Sequence, residues 1–205
     1  MNSTGIIILG TNGNCIDIAE TVAASGFLDD APELQGKSVA GLPVLGKIAD
    51  AAKFKDAKFV NGIGSPRSYR KKPDIIANLG LSADRWATVI HPTAVVSPSA
   101  KIGAGTVLLA NVSVGANVTI GRHVMVLQNT VISHDSVVGD FTAIATGVCI
   151  SGACQIGTNC YLGSGSTLRD GVRVGDRALI GIGSNVVADV PAEAVVMGNP
   201  AKPRV

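Results

Sequence analysis

The 205-residue sequence predicts a two-part chain: a small parallel α/β unit over residues 1–86, then a parallel β-helix over 87–205 that closes in a short tail. Three observations predict this. An aliphatic residue returns at every sixth position from Ile90 to Val186 without a break. Before Ile90, short apolar runs alternate with helical patterns. The chain also carries 25 glycines but few aromatics, and Phe27, Phe54, Phe59, Tyr69 and Trp86 all fall in the first part.

The period of six is the strongest of these signals. A helix repeats at 3.6 residues and a strand at 2. A period of six belongs to a coil of hexapeptides, each giving one short strand and one tight turn. Three hexapeptides make a triangular coil of 18 residues, with the aliphatic side chain filling a prism too narrow for a ring. Four residues after each aliphatic lies a second compact residue, such as Thr106, Val112, Val118 or Cys154. The glycines that often follow the aliphatic residue are expected to relieve the turns. Residues 18 apart then sit side by side, so His134 is flanked by Ala116 and Gly152.

In the first part, Gly5–Leu9 is a short apolar run ending in glycine, as buried strands do. Asn14 to Ser25 reads as a helix with Ile16, Ala19, Val22 and Ala23 on one side. Leu42–Leu45 and Lys58–Asn61 read as further strands. Pro66 to Leu79 reads as a second helix that Pro73 interrupts. Such alternation implies a parallel α/β unit.

Composition excludes several classes. With 46% hydrophobic and 16% charged residues the chain is neither disordered nor a charged coiled coil. A net charge of +2, evenly spread, does not suit a nucleic-acid binder. No apolar run is long enough to span a membrane, and MNSTGIIILG lacks the basic start and cleavage site of a signal peptide. Cys15, Cys149, Cys154 and Cys160 lack zinc-like spacing. They read as free thiols in a reducing compartment, which points to the cytoplasm.

Few residues carry chemistry. His91, before Pro92, reads as a cap on the first coil, and His123 as a solvated turn residue. His134 points outward two residues after Ile132, with Asp135 beside it. It is either a surface residue or a general base, since an imidazole can take a proton from an amine or hydroxyl near neutral pH. Asp135 can orient it only if the backbone turns there, because neighbours on a strand point apart. Gly152, one coil on, leaves a backbone N–H open to an oxyanion. Cys154 and Cys160 read as packing thiols. Gly10-Thr11-Asn12-Gly13-Asn14 follows a strand and precedes a helix. That placement suits a phosphate loop or a plain strand–helix turn, and the full dinucleotide fingerprint is absent. Asp29 and Asp30 are placed either to meet a ribose or base edge or to form an exposed loop. Gly64 and Arg67 end a later strand, where a phosphate or solvent can meet the guanidinium.

The repeat from 90 to 190, the His134–Asp135 pair and the closing VMGNPAKPRV resemble the hexapeptide-repeat acyltransferases. IIILGTNGN, GFLDDAPELQGKSVAGLPVLG and VNGIGSPRS narrow this to the nucleotide-sugar acetyltransferases related to the bacillosamine-pathway and perosamine enzymes, and to the sialic acid O-acetyltransferases. The resemblance implies a Rossmann-like N-terminal domain, a left-handed β-helix, and a homotrimer with active sites between subunits. It implies acetyl-CoA as co-substrate and no metal. His134 and Asp135 match the catalytic pair, Gly152 the glycine that meets the thioester carbonyl, and Gly10–Asn14, Asp29, Asp30, Gly64 and Arg67 the nucleotide-sugar loops. Three positions depart from the pattern. Asn12 and Asn14 stand where many relatives have a glycine and a histidine, and Ala143 stands where many have a second histidine. The function implied is N-acetylation of a nucleotide-linked 4-amino-4,6-dideoxyhexose. The alternatives are O-acetylation of a sugar and a non-catalytic hexapeptide scaffold. A nicotinamide oxidoreductase is disfavoured.

Overall fold

A computed structural model of the chain describes residues 5–204; the first four residues of MNSTGIIILG and the last of VMGNPAKPRV lie outside that range. The N-terminal unit contains β1 (Ile6–Leu9), α1 (Gly13–Thr21), β2 (Ala24–Leu28), β3 (Ser38–Val39), β4 (Leu42–Gly46), β5 (Lys58–Asn61) and α2 (Lys72–Asn78). Its sheet has the order β3-β4-β2-β1-β5. It is parallel except for the β3–β4 hairpin at its edge. Ile6 and Ile8 pack on one side of β1, and Ile7 and Leu9 on the other.

Two of the expected helices have different bounds. The helix read over Asn14–Ser25 stops at Thr21, where the Val22 N–H donates to Ile18 O, and a strand begins at Ala24. β2 needs a glycine at position 26, because a Cβ there would meet Pro43 O of β4 at 2.6 Å. Pro73 opens α2 rather than interrupting a helix. In the first turn its missing N–H has no partner to lose, and a 3-10 turn over Tyr69–Lys71 precedes it.

From Val89 the chain winds into three parallel ladders with an 18-residue register, such as Val114↔Ile132 and Ile120↔Val138. The aliphatic column from Leu108 to Val186 is at most 2% exposed, and Ile90 lies at the open end. Buried hydroxyls at several corners bond within the coil: Thr142 Oγ1 donates to Gly157 O at 2.9 Å and accepts from Cys160 N at 3.0 Å, whereas the buried Ser166 Oγ has no partner among the described residues. A short antiparallel pairing of Val195–Met197 with Lys202–Pro203 closes the far end.

The glycines just after the aliphatic residue do not relieve the turns as expected. A Cβ at Gly139 would lie 2.6 Å from the backbone C and O of Gly157 in the next coil. These glycines permit coils to approach. The turn strain falls two positions later, where Asn111, Asn117, His123, Asn129, Asp135 and Phe141 take φ of 56–63°. Asn and Asp tolerate that left-handed conformation better than most residues.

The three faces differ in what they show outward. The first face carries Val95, Ser113, Val131, Cys149 and Thr167, and the second Lys101, Thr119, Val137, Gln155 and Arg173. The third carries Val89, Val107, Met125, Ala143, Tyr161 and Leu179, and the N-terminal unit packs there. Polar contacts tie the two parts together. Gln128 Nε2 donates to Asp17 Oδ2 at 2.9 Å, and Tyr69 OH to Arg177 O at 3.1 Å. The prism's two rings, Phe141 and Tyr161, point out into this junction: Phe141 stacks on His123 and Tyr161 lies against Tyr69.

Candidate functional site

His134 lies at the corner between the first and second faces, across the prism from the N-terminal unit. Asp135 follows with φ of 58°, and this turn brings its carboxylate beside the ring instead of across the strand. His134 Nδ1 and Asp135 Oδ2 are 2.8 Å apart, and Asn117 Nδ2 donates to Asp135 Oδ1 at 3.0 Å. Hydrogen bonds from His134 and then from Asn117 hold the Asp135 carboxyl below its ordinary value. The ionised carboxylate accepts only, so it sets Nδ1–H as the donor and leaves Nε2 as the free base. The ring is exposed and lies over Gly152, where a Cβ would meet Cε1 at 2.7 Å and Nε2 at 2.8 Å.

The Gly152 N–H is not open in this structure, contrary to the expectation from sequence. It donates to Asp170 Oδ1 at 2.8 Å. Asp170 is one coil further along the same corner; sequence reasoning misses it, although the 18-residue register that pairs His134 with Gly152 extends to it.

The nucleotide-loop candidates lie at the other side of the chain. Asn12 caps α1: its Oδ1 accepts from Asn14 N at 3.0 Å and Cys15 N at 3.4 Å, and its Nδ2 donates to Gly62 O at 3.3 Å. Two amides that a phosphate would use are therefore engaged. Thr11 Oγ1 donates to Asp29 Oδ2 at 2.7 Å, and Asp29 Oδ1 accepts from Ala31 N at 2.9 Å. Asp30 accepts from Ile48 N at 2.9 Å. Both carboxylates thus brace loops. Gly10 has φ of 93° and Gly13 has open space around it. Arg67 is exposed in a cleft with Tyr69, Arg70, Leu179 and Val195.

Asn14 and Gly64 meet in a cavity of about 220 Å³ with Ser65, Pro66, Met125, Ala143, Ala145 and Tyr161. Loops of the N-terminal unit form one wall and the third face of the coil the other. Ala143 contributes no polar group here. Within one chain this cavity and His134 are on opposite sides of the prism. A roomier cleft of about 650 Å³ lies over the far end of the second face. Its Asp176 and Asp189 are engaged as acceptors for Thr158 N and Arg173 N, and it lacks a base.

The other histidines play structural parts. His91 Nδ1 accepts from Thr93 N at 3.1 Å, as a cap does. His123 is not solvated, as a turn residue would be: it is 8% exposed, edge-on to Trp86 at 4.7 Å and stacked on Phe141 at 5.4 Å. Burial, then the Lys72 charge, lowers its pKa to about 4. Cys15, Cys154 and Cys160 are buried free thiols, and Cys149 is half-buried on the first face. Among the described residues, no three His, Cys, Asp or Glu side chains are placed to hold a metal ion, and no helix is long and apolar enough to cross a membrane.

The model of the GMPPB C-terminal domain family matches residues 87–190. No curated protein sequence matches the chain. Among solved structures, the acetyltransferase domain of PglB from Neisseria gonorrhoeae FA1090 is 32% identical over 98% of this chain and 100% of its own, with a TM-score of 0.86. It has also been solved with acetyl coenzyme A. PerB from Caulobacter crescentus, solved with CoA and GDP-perosamine, is 27% identical over 98% of this chain and 97% of its own, again with a TM-score of 0.86. WeeI from Acinetobacter baumannii AYE shares the fold at 24% identity, 98% and 100% coverage and a TM-score of 0.85. The coil thus falls in the GMPPB C-terminal domain family, and the chain as a whole belongs to the hexapeptide-repeat nucleotide-sugar acetyltransferases.

Proposed function

We propose that the protein transfers the acetyl group of acetyl-CoA to the amino group of a nucleotide-linked amino sugar, a 4-amino-4,6-dideoxyhexose, with His134 as the general base. The likeness to PglB's acetyltransferase domain and to PerB, which extends over nearly the whole chain, supports the reaction class. The observation that carries the site is the His134 geometry. A carboxylate fixes one ring nitrogen, and the other is left free on an exposed ring above a glycine.

The neutral amine attacks the thioester carbonyl carbon, and His134 Nε2 takes the proton that the nitrogen sheds. The oxyanion is met by the Gly152 N–H. Collapse breaks the C–S bond, and the imidazolium returns its proton to the leaving thiolate. The products are the amide and free CoA. Asp135 stabilises the imidazolium while it lasts.

The domains are 1–86, a Rossmann-like nucleotide-sugar unit, and 87–205, a left-handed β-helix with its tail. The working assembly is a homotrimer. The cavity lined by Asn14, Gly64, Ala143 and Tyr161 opens on one side of each chain and His134 stands on the other, so a site is completed when one subunit's His134 faces its neighbour's cavity. The loops at Gly10–Asn14, with Asp29, Asp30, Gly64 and Arg67, carry the nucleotide. With Asn12 acting as helix cap, the phosphates draw on the remaining loop amides and on Arg67.

Release of free thiol from acetyl-CoA, with UDP-, dTDP- and GDP-linked amino sugars offered in turn, tests the reaction. One of these is expected to turn over. His134→Ala is expected to lose about 10²–10⁴-fold in rate, the usual worth of a general base. Near-normal turnover in that variant would remove His134 from the role. Turnover of a hydroxyl sugar but not its amino analogue would make the enzyme an O-acetyltransferase.

A further inference from the structure

At the His134 corner, three residues spaced by 18 stand in one column: the imidazole of His134, the bare Gly152, and the carboxylate of Asp170. The glycine leaves a notch, with the ring over it on one side and the carboxylate hydrogen-bonded to its amide from the other. Carboxylate-to-amide bonds brace the coil elsewhere, as at Arg122–Asp140 and Thr158–Asp176. At Gly152 the braced amide is the one aligned with the base.

We propose that Asp170 competes with the acyl carbonyl for the Gly152 N–H. This rests on the reaction proposed above. One N–H serves one strong acceptor, so a thioester carbonyl reaches this donor only when the carboxylate lets go. Asp170 is exposed, and its released carboxylate returns to water. The exchange is unfavourable in the ground state, because a neutral carbonyl replaces a charged acceptor and charge-assisted bonds are the stronger. It is repaid as the oxyanion forms and the N–H again faces a full charge. Asp170 therefore weakens acetyl-CoA binding; its release cost is carried equally into the transition state, so it raises KM for acetyl-CoA and leaves kcat unchanged. CoA, which lacks the carbonyl, binds with the carboxylate still in place.

Calorimetric titration of the full chain with acetyl-CoA and with CoA separately reads this. Asp170→Ala is expected to tighten acetyl-CoA about fivefold, in line with the gap between charged and neutral acceptors, and to leave CoA unchanged. Asp170→Asn, which keeps the shape of the contact and removes the charge, should move the same ratio in the same direction by less. It also serves if the alanine variant folds poorly. Asp140→Ala should leave the ratio unchanged. An unchanged ratio in both Asp170 variants, or equal weakening of both ligands, would overturn the proposal and make Asp170 a brace like Asp140. If the unaltered protein binds neither ligand, the proposed reaction itself fails and this inference falls with it.

Discussion

Lys72 enters the apolar junction between the two parts of the chain with its side chain fully buried. Among the described residues its ammonium reaches one acceptor, His123 O at 3.3 Å. Burial pulls its pKa from the ordinary 10.5 to about 7. Between these values the unfolded chain holds a proton that the folded protein has lost, so this group makes stability rise with pH from about 7. Above 9.0 the buried Cys15 and Cys160, pushed up to about 12 and about 11, act in the opposite sense, because the folded state then holds the extra protons. Lys72→Met is therefore expected to raise Tm at pH 7, with the gap to the unaltered protein narrowing towards pH 9. Thermal melts at pH 7, 8 and 9 check it, and each kcal/mol recovered is about 2–4 °C in a chain of this size. The burial of Lys72 was not legible in the sequence: nothing in Arg70-Lys71-Lys72-Pro73 says which cation turns inward. His123 was missed for a related reason. The register places Phe141 beside it, but Trp86 arrives from outside the repeat. The turn at Asp135 had a readable sign, since Asn111, Asn117 and Asn129 occupy the same place in other hexapeptides.

At the scale of the element, the six-residue period made the strands of the coil legible from Val89 to Val186, because one constraint, a narrow interior, acts on every turn. Val195–Met197, which joins the third ladder 16 residues after Leu179, lies outside that period. The ends of α1 and α2 and the existence of β2 were not legible. They depend on neighbours brought in by the sheet, such as Pro43 against Gly26. The glycines divide by mechanism. Gly147 has φ of 70° with no atom near its missing Cβ, so Gly147→Ala should cost about 1–2 kcal/mol, the penalty of a left-handed backbone. Gly139→Ala pushes a methyl into the backbone of the next coil, which cannot move aside. Its loss should reach or exceed the upper end of the about 1–3 kcal/mol usual for overpacking. Denaturant midpoints of the two variants provide the comparison. Equal losses would return both glycines to turn relief.

At the scale of the whole molecule, the N-terminal unit covers the third face of the coil and His134 stands at the opposite corner. Asn14→Trp is expected to fill the 220 Å³ cavity and abolish activity, as His134→Ala does. If sites are shared between subunits, co-expressing the two inactive variants restores activity. Random mixing in a closed ring leaves about one site in four with both halves intact. Thiol release from the purified mixture measures it, and a mixture as inactive as either variant would place the whole site within one chain. The sequence showed both halves of this candidate site as motifs. It did not show that they face apart, because that depends on which of three similar faces the N-terminal unit covers. The outward residues of the third face were the readable clue, since apart from Tyr161 they are apolar throughout.

The 18-residue register also bears on how the chain folds. Each new strand pairs with one only a single coil behind it, so the ladders grow by closing short loops. All-β architectures owe their slow folding to distant pairings, and this coil has none. Its contacts are nearly as local as those of a helical bundle. The distant contacts lie at the junction, where Lys72 meets His123 and Arg70 reaches Glu193 O. Docking of the N-terminal unit is thus where the loop-closure entropy concentrates. Trp86, the single tryptophan of the chain, packs by Phe59 in the N-terminal core and against His123 at that seam, so its fluorescence follows the N-terminal unit and its docking rather than the winding of the coil.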